Sequence, residues 1–218
     1  MAQYDSVLEL LREVRLDTLR LAEPLTQSEA DMRPKPGEWS VGEVLDHLVI
    51  SETLYREMIQ RLIVLARAGK RPVIVQTLRD VNTRIPFVPA PLMPLMEIPL
   101  TVTNMFVPPF VRERIMTIRF AKAKAPSIAA PKAAKPLDQL RAELRQSVME
   151  TARLLQTNSD LDFRTMRYRH PVIGNNNVLQ ILRIVAFHER RHQAQIQEII
   201  RAIGSREGST LADRVALG

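Results

Sequence analysis

Apolar residues recur every three or four positions in four separate stretches of this chain, and prolines or glycines stand between most of them. That spacing puts each apolar set on one stripe of an α-helix, and a stripe of this kind is stable only when other stripes cover it. The expected fold is therefore all-α, an antiparallel four-helix bundle with helices at about 4–22, 40–67, 137–157 and 178–203 in a single domain, 1–218. In the first stretch Val7, Leu10, Leu11, Val14 and Leu21 share the stripe; in the second it is Val41, Val44, Leu48, Tyr55, Met58 and Leu62. The third runs through Leu137, Leu140, Leu144, Val148, Thr151 and Leu155. Alternating strand patterns are scarce, and no internal repeat is present.

The ends of these stretches carry ordinary helix signals. Thr26 with Glu29, and Ser40 with Glu43, have capping-box spacing; the first predicts a short turn before Pro34 and Pro36. Trp39, the only tryptophan, precedes the second cap and is expected to staple the helix start to the core. Pro136 sets the start of the third helix, and the Asn175–Asn177 run offers a cap for the fourth. The segment between the third and fourth helices, through His170, Pro171 and Gly174, reads as a loop.

A long connector, 70–135, joins helices two and three, which is compatible with those two helices running in the same direction. Its Ile85–Val111 part has seven prolines and a single charge, Glu97, so it cannot form the unbroken helix of ~20 residues that a membrane span needs. Packing across the bundle is the default for so apolar a segment. The net charge of +7 is local: six of those charges lie between Val111 and Lys135, in a stretch whose one aromatic is Phe120. A nucleic-acid groove spreads cations along a surface and interleaves aromatics, so no specific nucleic-acid partner is expected. With no cysteine, disulfides, thiolate metal sites and a catalytic thiol are excluded. The N-terminus has no targeting pattern, and a cytoplasmic location is expected.

The chemistry rests on histidine, of which there are four. In the fourth stretch Ile181, Val185, His188, His192, Ile196, Ile199 and Ile203 form one seam, so two imidazoles replace aliphatic residues on a buried face. Buried imidazoles need partners for their ring nitrogens, and a shared cation supplies one to both. His47 in the second stretch lies on a stripe with Val44, Ser51, Leu54 and Met58. Three nitrogens from two helices would hold a divalent ion with open positions, Zn or Ni being expected first among metals that suit all-histidine sites. The string His188-Glu189-Arg190-Arg191-His192 also matches the zincin pattern. The acid that follows, Glu198, is on the same helix and too close to wrap round the metal, which argues against a protease. Other residues rank lower: His170 as a turn residue, Glu189 in a surface salt bridge, Arg190 and Arg191 on a solvated face, and Asp46 pointing away from the site.

Lys35-Pro36-Gly37-Glu38-Trp39-Ser40-Val41-Gly42-Glu43-Val44-Leu45-Asp46-His47-Leu48 resembles the DinB-like (DinB/YfiT-like) metal-binding proteins. The resemblance returns in His170-Pro171 through Gly174 and in Phe187-His188-Glu189-Arg190-Arg191-His192-Gln193-Ala194-Gln195-Ile196. It implies an up-down-down-up four-helix bundle, a homodimer, and a divalent metal on His47, His188 and His192. It also implies a small-molecule substrate and activity as a thiol S-transferase using a low-molecular-weight thiol, or as a hydrolase. No catalytic residue beyond the ligands is identified. The alternative is a non-catalytic bundle that binds a ligand or acts as a stress-associated interaction module.

Overall fold

The computed structural model describes residues 2–76, 129–131, 135–170 and 174–205. The Ile85–Val111 segment and nearly all of the basic stretch that follows lie outside the described residues. The described chain is mostly helical: α1 (Asp5–Ala22), α2 (Gln27–Asp31), α3 (Val41–Arg67), β1 (Val73–Val75), α4 (Leu137–Thr157), β2 (Arg167–His170), β3 (Gly174–Asn177) and α5 (Val178–Gly204). The four long helices fall within a residue of the ranges read from periodicity.

Local chemistry fixes where they start. The Ser40 hydroxyl accepts from the Glu43 amide at 3.2 Å, and the Glu43 carboxylate accepts from the Ser40 amide at 2.9 Å. Thr26 with Glu29, and Asn177 with Gln180, close the same reciprocal pair for α2 and α5. Helix α4 follows Pro136, which has no side-chain donor or acceptor, so its first amide, that of Leu137, donates to Gln27 Oε1 of α2 at 2.7 Å. Arg141 Nη2 in turn donates to the Ala22, Glu23 and Leu25 carbonyls at the end of α1, at 2.6, 2.9 and 3.0 Å. That places a cation at a helix C-terminus, where the exposed carbonyls favour it. Gly42 lets α2 and α3 approach: a Cβ there would stand 3.3 Å from the Ala30 carbonyl oxygen.

Helix α1 packs on α4 and α5, and α3 packs on the same two. Two apolar clusters fill the bundle. One joins the N-terminal half of α1 (Val7–Val14), the C-terminal parts of α3 (Met58–Ile63) and α4 (Ala152, Leu155), and the start of α5 (Val178–Ala186). The other joins Leu19 and Ala22 of α1, Val41–Leu48 of α3, Leu137–Leu144 of α4 and Ile196–Ile203 of α5.

Between the clusters every long helix turns a polar residue inward at the same level. They are Arg15 and Thr18 on α1, His47, Ser51 and Glu52 on α3, Ser147 and Thr151 on α4, and Glu189 and His192 on α5, all buried. This polar waist positions the site.

The segment read as a loop between α4 and α5 contains strand. β2 pairs antiparallel with β3 (Tyr168 opposite Asn176), and parallel with β1 (Ile74 opposite Tyr168), giving the order β1-β2-β3. Met166, Tyr168, Gly174 and Asn176 face inward while Arg169 and Asn175 face out. Ahead of β2, Phe163 is fully buried and meets the Tyr4 ring edge-on at 6.1 Å. Together these close the bundle end opposite the Ser40 cap.

Candidate metal centre

His47 comes from the second turn of α3, just past its capping box, and His188 and His192 from the middle of α5. Residues four apart on a helix lie one above the other, so the two α5 rings project side by side toward α3. The structure brings all three together. His188 Nε2 lies 3.3 Å from His47 Nε2 and 3.2 Å from His192 Nε2, and one ligand atom from each of the three falls within 4.8 Å of the others. Two nitrogens bound to one tetrahedral ion at ~2.0–2.1 Å are themselves ~3.3 Å apart. The two separations from His188 match, and the third pair, His47 and His192, lies within 4.8 Å.

The far sides of two rings settle their tautomers. His47 Nδ1 is 2.6 Å from the Ala129 carbonyl oxygen, and His192 Nδ1 is 2.8 Å from Gln195 Oε1. Both partners accept hydrogen bonds, so both Nδ1 atoms carry the proton and both Nε2 lone pairs face the centre. This is the outer arrangement that orients ligating imidazoles. His47 and His192 are buried and His188 is half-buried, so the open side of the cluster is at His188.

Protonation is also held in the ligating form. Burial pushes His188 well below the ordinary 6.5, aided by the charges of His192, His47 and Arg191. Burial lowers His192 to about 3, with His47 and Arg191 adding to it against the Gln195 hydrogen bond. Burial lowers His47 too, opposed by the Ala129 carbonyl and Asp46. Neutral imidazoles are the metal-binding species. The donor set therefore fits a divalent ion in number, spacing, tautomer and charge.

Trp39 stands over the cluster. Its ring centroid is 5.1 Å from that of His47 and 6.5 Å from that of His192, the latter nearly stacked at 21°. It also packs against the second apolar cluster, as a staple should, so it serves as wall and anchor together.

Glu189 is not in a surface salt bridge. It is 1% exposed and locked in the waist by Arg15, whose Nε and Nη2 donate to its two carboxylate oxygens at 2.8 and 2.9 Å. Thr18 Oγ1 adds a third bond at 2.6 Å. Arg15 Nη2 also reaches Glu52 Oε2 at 2.7 Å, and Thr151 donates to Glu52 Oε1 at 3.0 Å. Burial works against the Arg15 charge, but Glu189 and then Glu52 hold its pKa above the usual arginine value. Arg15 and Glu52 are the functional-level residues that periodicity missed. Asp46 does point away from the three imidazoles, to an ion pair with Lys135 Nζ at 2.9 Å. Arg190 is on the surface with Glu13 at 3.2 Å.

His170 ends β2 and is not brought into the cluster; its ring lies 5.8 Å from that of Tyr168. Burial lowers its pKa to about 4. A side-chain NMR titration is expected to find it neutral down to that pH. Because the unfolded chain takes up this proton near 6.5 and the folded chain does not, stability is expected to fall as pH drops from about 6.5 toward about 4. A His170 midpoint near 6.5 would contradict its burial.

A family model for the DinB superfamily matches residues 10–196. The chain belongs to the DinB superfamily. It is 25% identical over 200 residues to the uncharacterized protein YuaE of Bacillus subtilis (strain 168), covering 88% of this chain and 96% of that one. Its structure is similar to that of YfiT from Bacillus subtilis, with a TM-score of 0.51 at 19% identity over 93% of this chain and 88% of that one. YfiT is described as a probable metal-dependent hydrolase with an unusual four-helix bundle topology. At that identity the likeness establishes the DinB-type helical fold.

Proposed function

We propose that this DinB-superfamily chain is a metal-dependent enzyme acting on a small molecule, with His47, His188 and His192 as the ligands of one divalent ion, Zn or Ni. The observation that carries the reading is the convergence of three Nε2 atoms at separations of 3.3 and 3.2 Å around His188. A divalent ion in such a site supplies a nucleophile by lowering the pKa of a water or a thiol, which suits hydrolysis or transfer of a low-molecular-weight thiol. The description of YfiT as a probable metal-dependent hydrolase supports the hydrolase form.

The chain's own residues prepare the site. Ala129 and Gln195 fix the ring orientations of His47 and His192, and Trp39 excludes water from one side. The half-buried His188 marks where a substrate enters. An up-down-down-up helix order is part of the proposal. It is supported by the helix ends that share each apolar cluster, and by the parallel pairing of β1, which follows α3, with β2, which follows α4. A homodimer goes with the family resemblance, and a cytoplasmic location goes with a chain that has no cysteine.

One observation favours the second reading, a bundle that binds without turnover: Glu189 and Asp46, the acids next to the ligands in sequence, are both committed to cations and neither is placed as a base. Elemental analysis of protein purified without a tag or chelator decides first. About one divalent ion per chain is expected, lost in His47→Ala and His188→Ala. No metal after incubation with Zn or Ni would end the reading and leave the histidines as core residues.

A further inference from the structure

Three neutral imidazoles bring no negative charge to a divalent ion, so its protein ligands leave both positive charges uncompensated. The neighbouring acids do not make this up, since Glu189 is engaged by Arg15 and Asp46 by Lys135. Arg191 adds a further positive charge. It is half-buried and sits between the two α5 ligands in sequence, three residues after His188. Residues so spaced are neighbours on a helix surface, ~60° apart round the axis, which puts Arg191 beside the ligand that faces the open side. Its charge is felt by all three imidazoles. Among the described residues it makes no hydrogen bond or ion pair, unlike its neighbour Arg190. A partly desolvated guanidinium without an acceptor is costly, and its planar fork matches a carboxylate.

We propose that the substrate of this site is a small carboxylate, its carboxylate held by Arg191 while its reacting group faces His188. This rests on the metal-site reading above. A single fork offers two parallel bonds, enough for a carboxylate; a phosphate dianion calls for more donors.

The test uses full-length protein loaded with Co(II), whose visible bands report ligation, with succinate and inorganic phosphate titrated in and binding followed by those bands and by calorimetry. Saturable succinate binding is expected in the native protein. It should weaken about ten- to hundredfold in Arg191→Ala and less in Arg191→Lys, which keeps the charge but not the fork. The Co(II) bands should persist in both variants and vanish in His188→Ala. Equal succinate affinity in native protein and Arg191→Ala overturns this inference and leaves the metal site standing. Tighter phosphate than succinate binding overturns the carboxylate assignment. Failure of the native protein to take up Co(II) overturns both.

Discussion

Replacing Arg15 with alanine is expected to destabilise the protein by about 3–5 kcal/mol, because it leaves two buried carboxylates facing one another with no counter-charge. For a chain of this size that lowers the melting midpoint by about 6–20 °C. The site is unforgiving: Arg15 is 3% exposed, Glu52 2% and Glu189 1%, and the guanidinium also donates to the Leu144 carbonyl, so it ties α1 to α3, α4 and α5 at once. Removing the whole charge set has a different outcome. Arg15→Met combined with Glu52→Gln and Glu189→Gln takes away the unpaired carboxylates, and it is expected to recover most of the loss. Denaturant unfolding of the three proteins checks this. A loss below about 1 kcal/mol in Arg15→Ala would mean that water reaches the waist and the ion pairs are not buried in solution.

Chelation is the second large effect. An ion that binds the folded chain and not the unfolded one stabilises it by about 2.7 kcal/mol when free metal is a hundredfold above the dissociation constant. A chelator should therefore lower the midpoint of the native protein by about 5–11 °C. His188→Ala should show no response, since one lost ligand removes the nitrogen on which both 3.2–3.3 Å contacts converge. The geometry gives a reason for the metal-free state to be the poorer one. With His47 and His192 donating from Nδ1, two Nε2 lone pairs face His188 Nε2, which carries at most one proton to share between them. Scanning calorimetry with and without chelator measures both proteins. An equal fall in both would place the ion elsewhere.

The site was largely legible because histidine on an aliphatic seam is conspicuous: His188 and His192 occupy steps that Val185 and Ile196 frame on either side. Helix starts were legible for the same local reason, since a capping box needs only two residues three apart. The strands were not. Asn175–Asn177 are poor strand formers, and the inward–outward alternation of Met166 to Arg169 is too short to stand out from a loop. Val73–Val75 is a β-branched run, but three residues after a proline carry little weight. What makes them a strand is β2 beside them, a partner more than ninety residues away in sequence.

Arg15 and Glu52 show the same division more sharply. The buried apolar residues of α1 skip from Val14 to Leu19 and those of α3 from Leu48 to Met58, leaving Arg15 with Thr18 and Ser51 with Glu52 in the gaps. By itself the sequence determined those gaps, the helices on either side of them, and the two histidines that break the α5 seam. It did so because periodicity, caps and prolines act over a few residues. Only the tertiary structure decided that all the gaps stand at one level. Which polar group meets which depends on how far each helix is shifted along its neighbours, and long-range packing sets that. At that level a guanidinium meets two carboxylates and three imidazoles meet one another, and a buried polar group is tolerable only where such partners coincide.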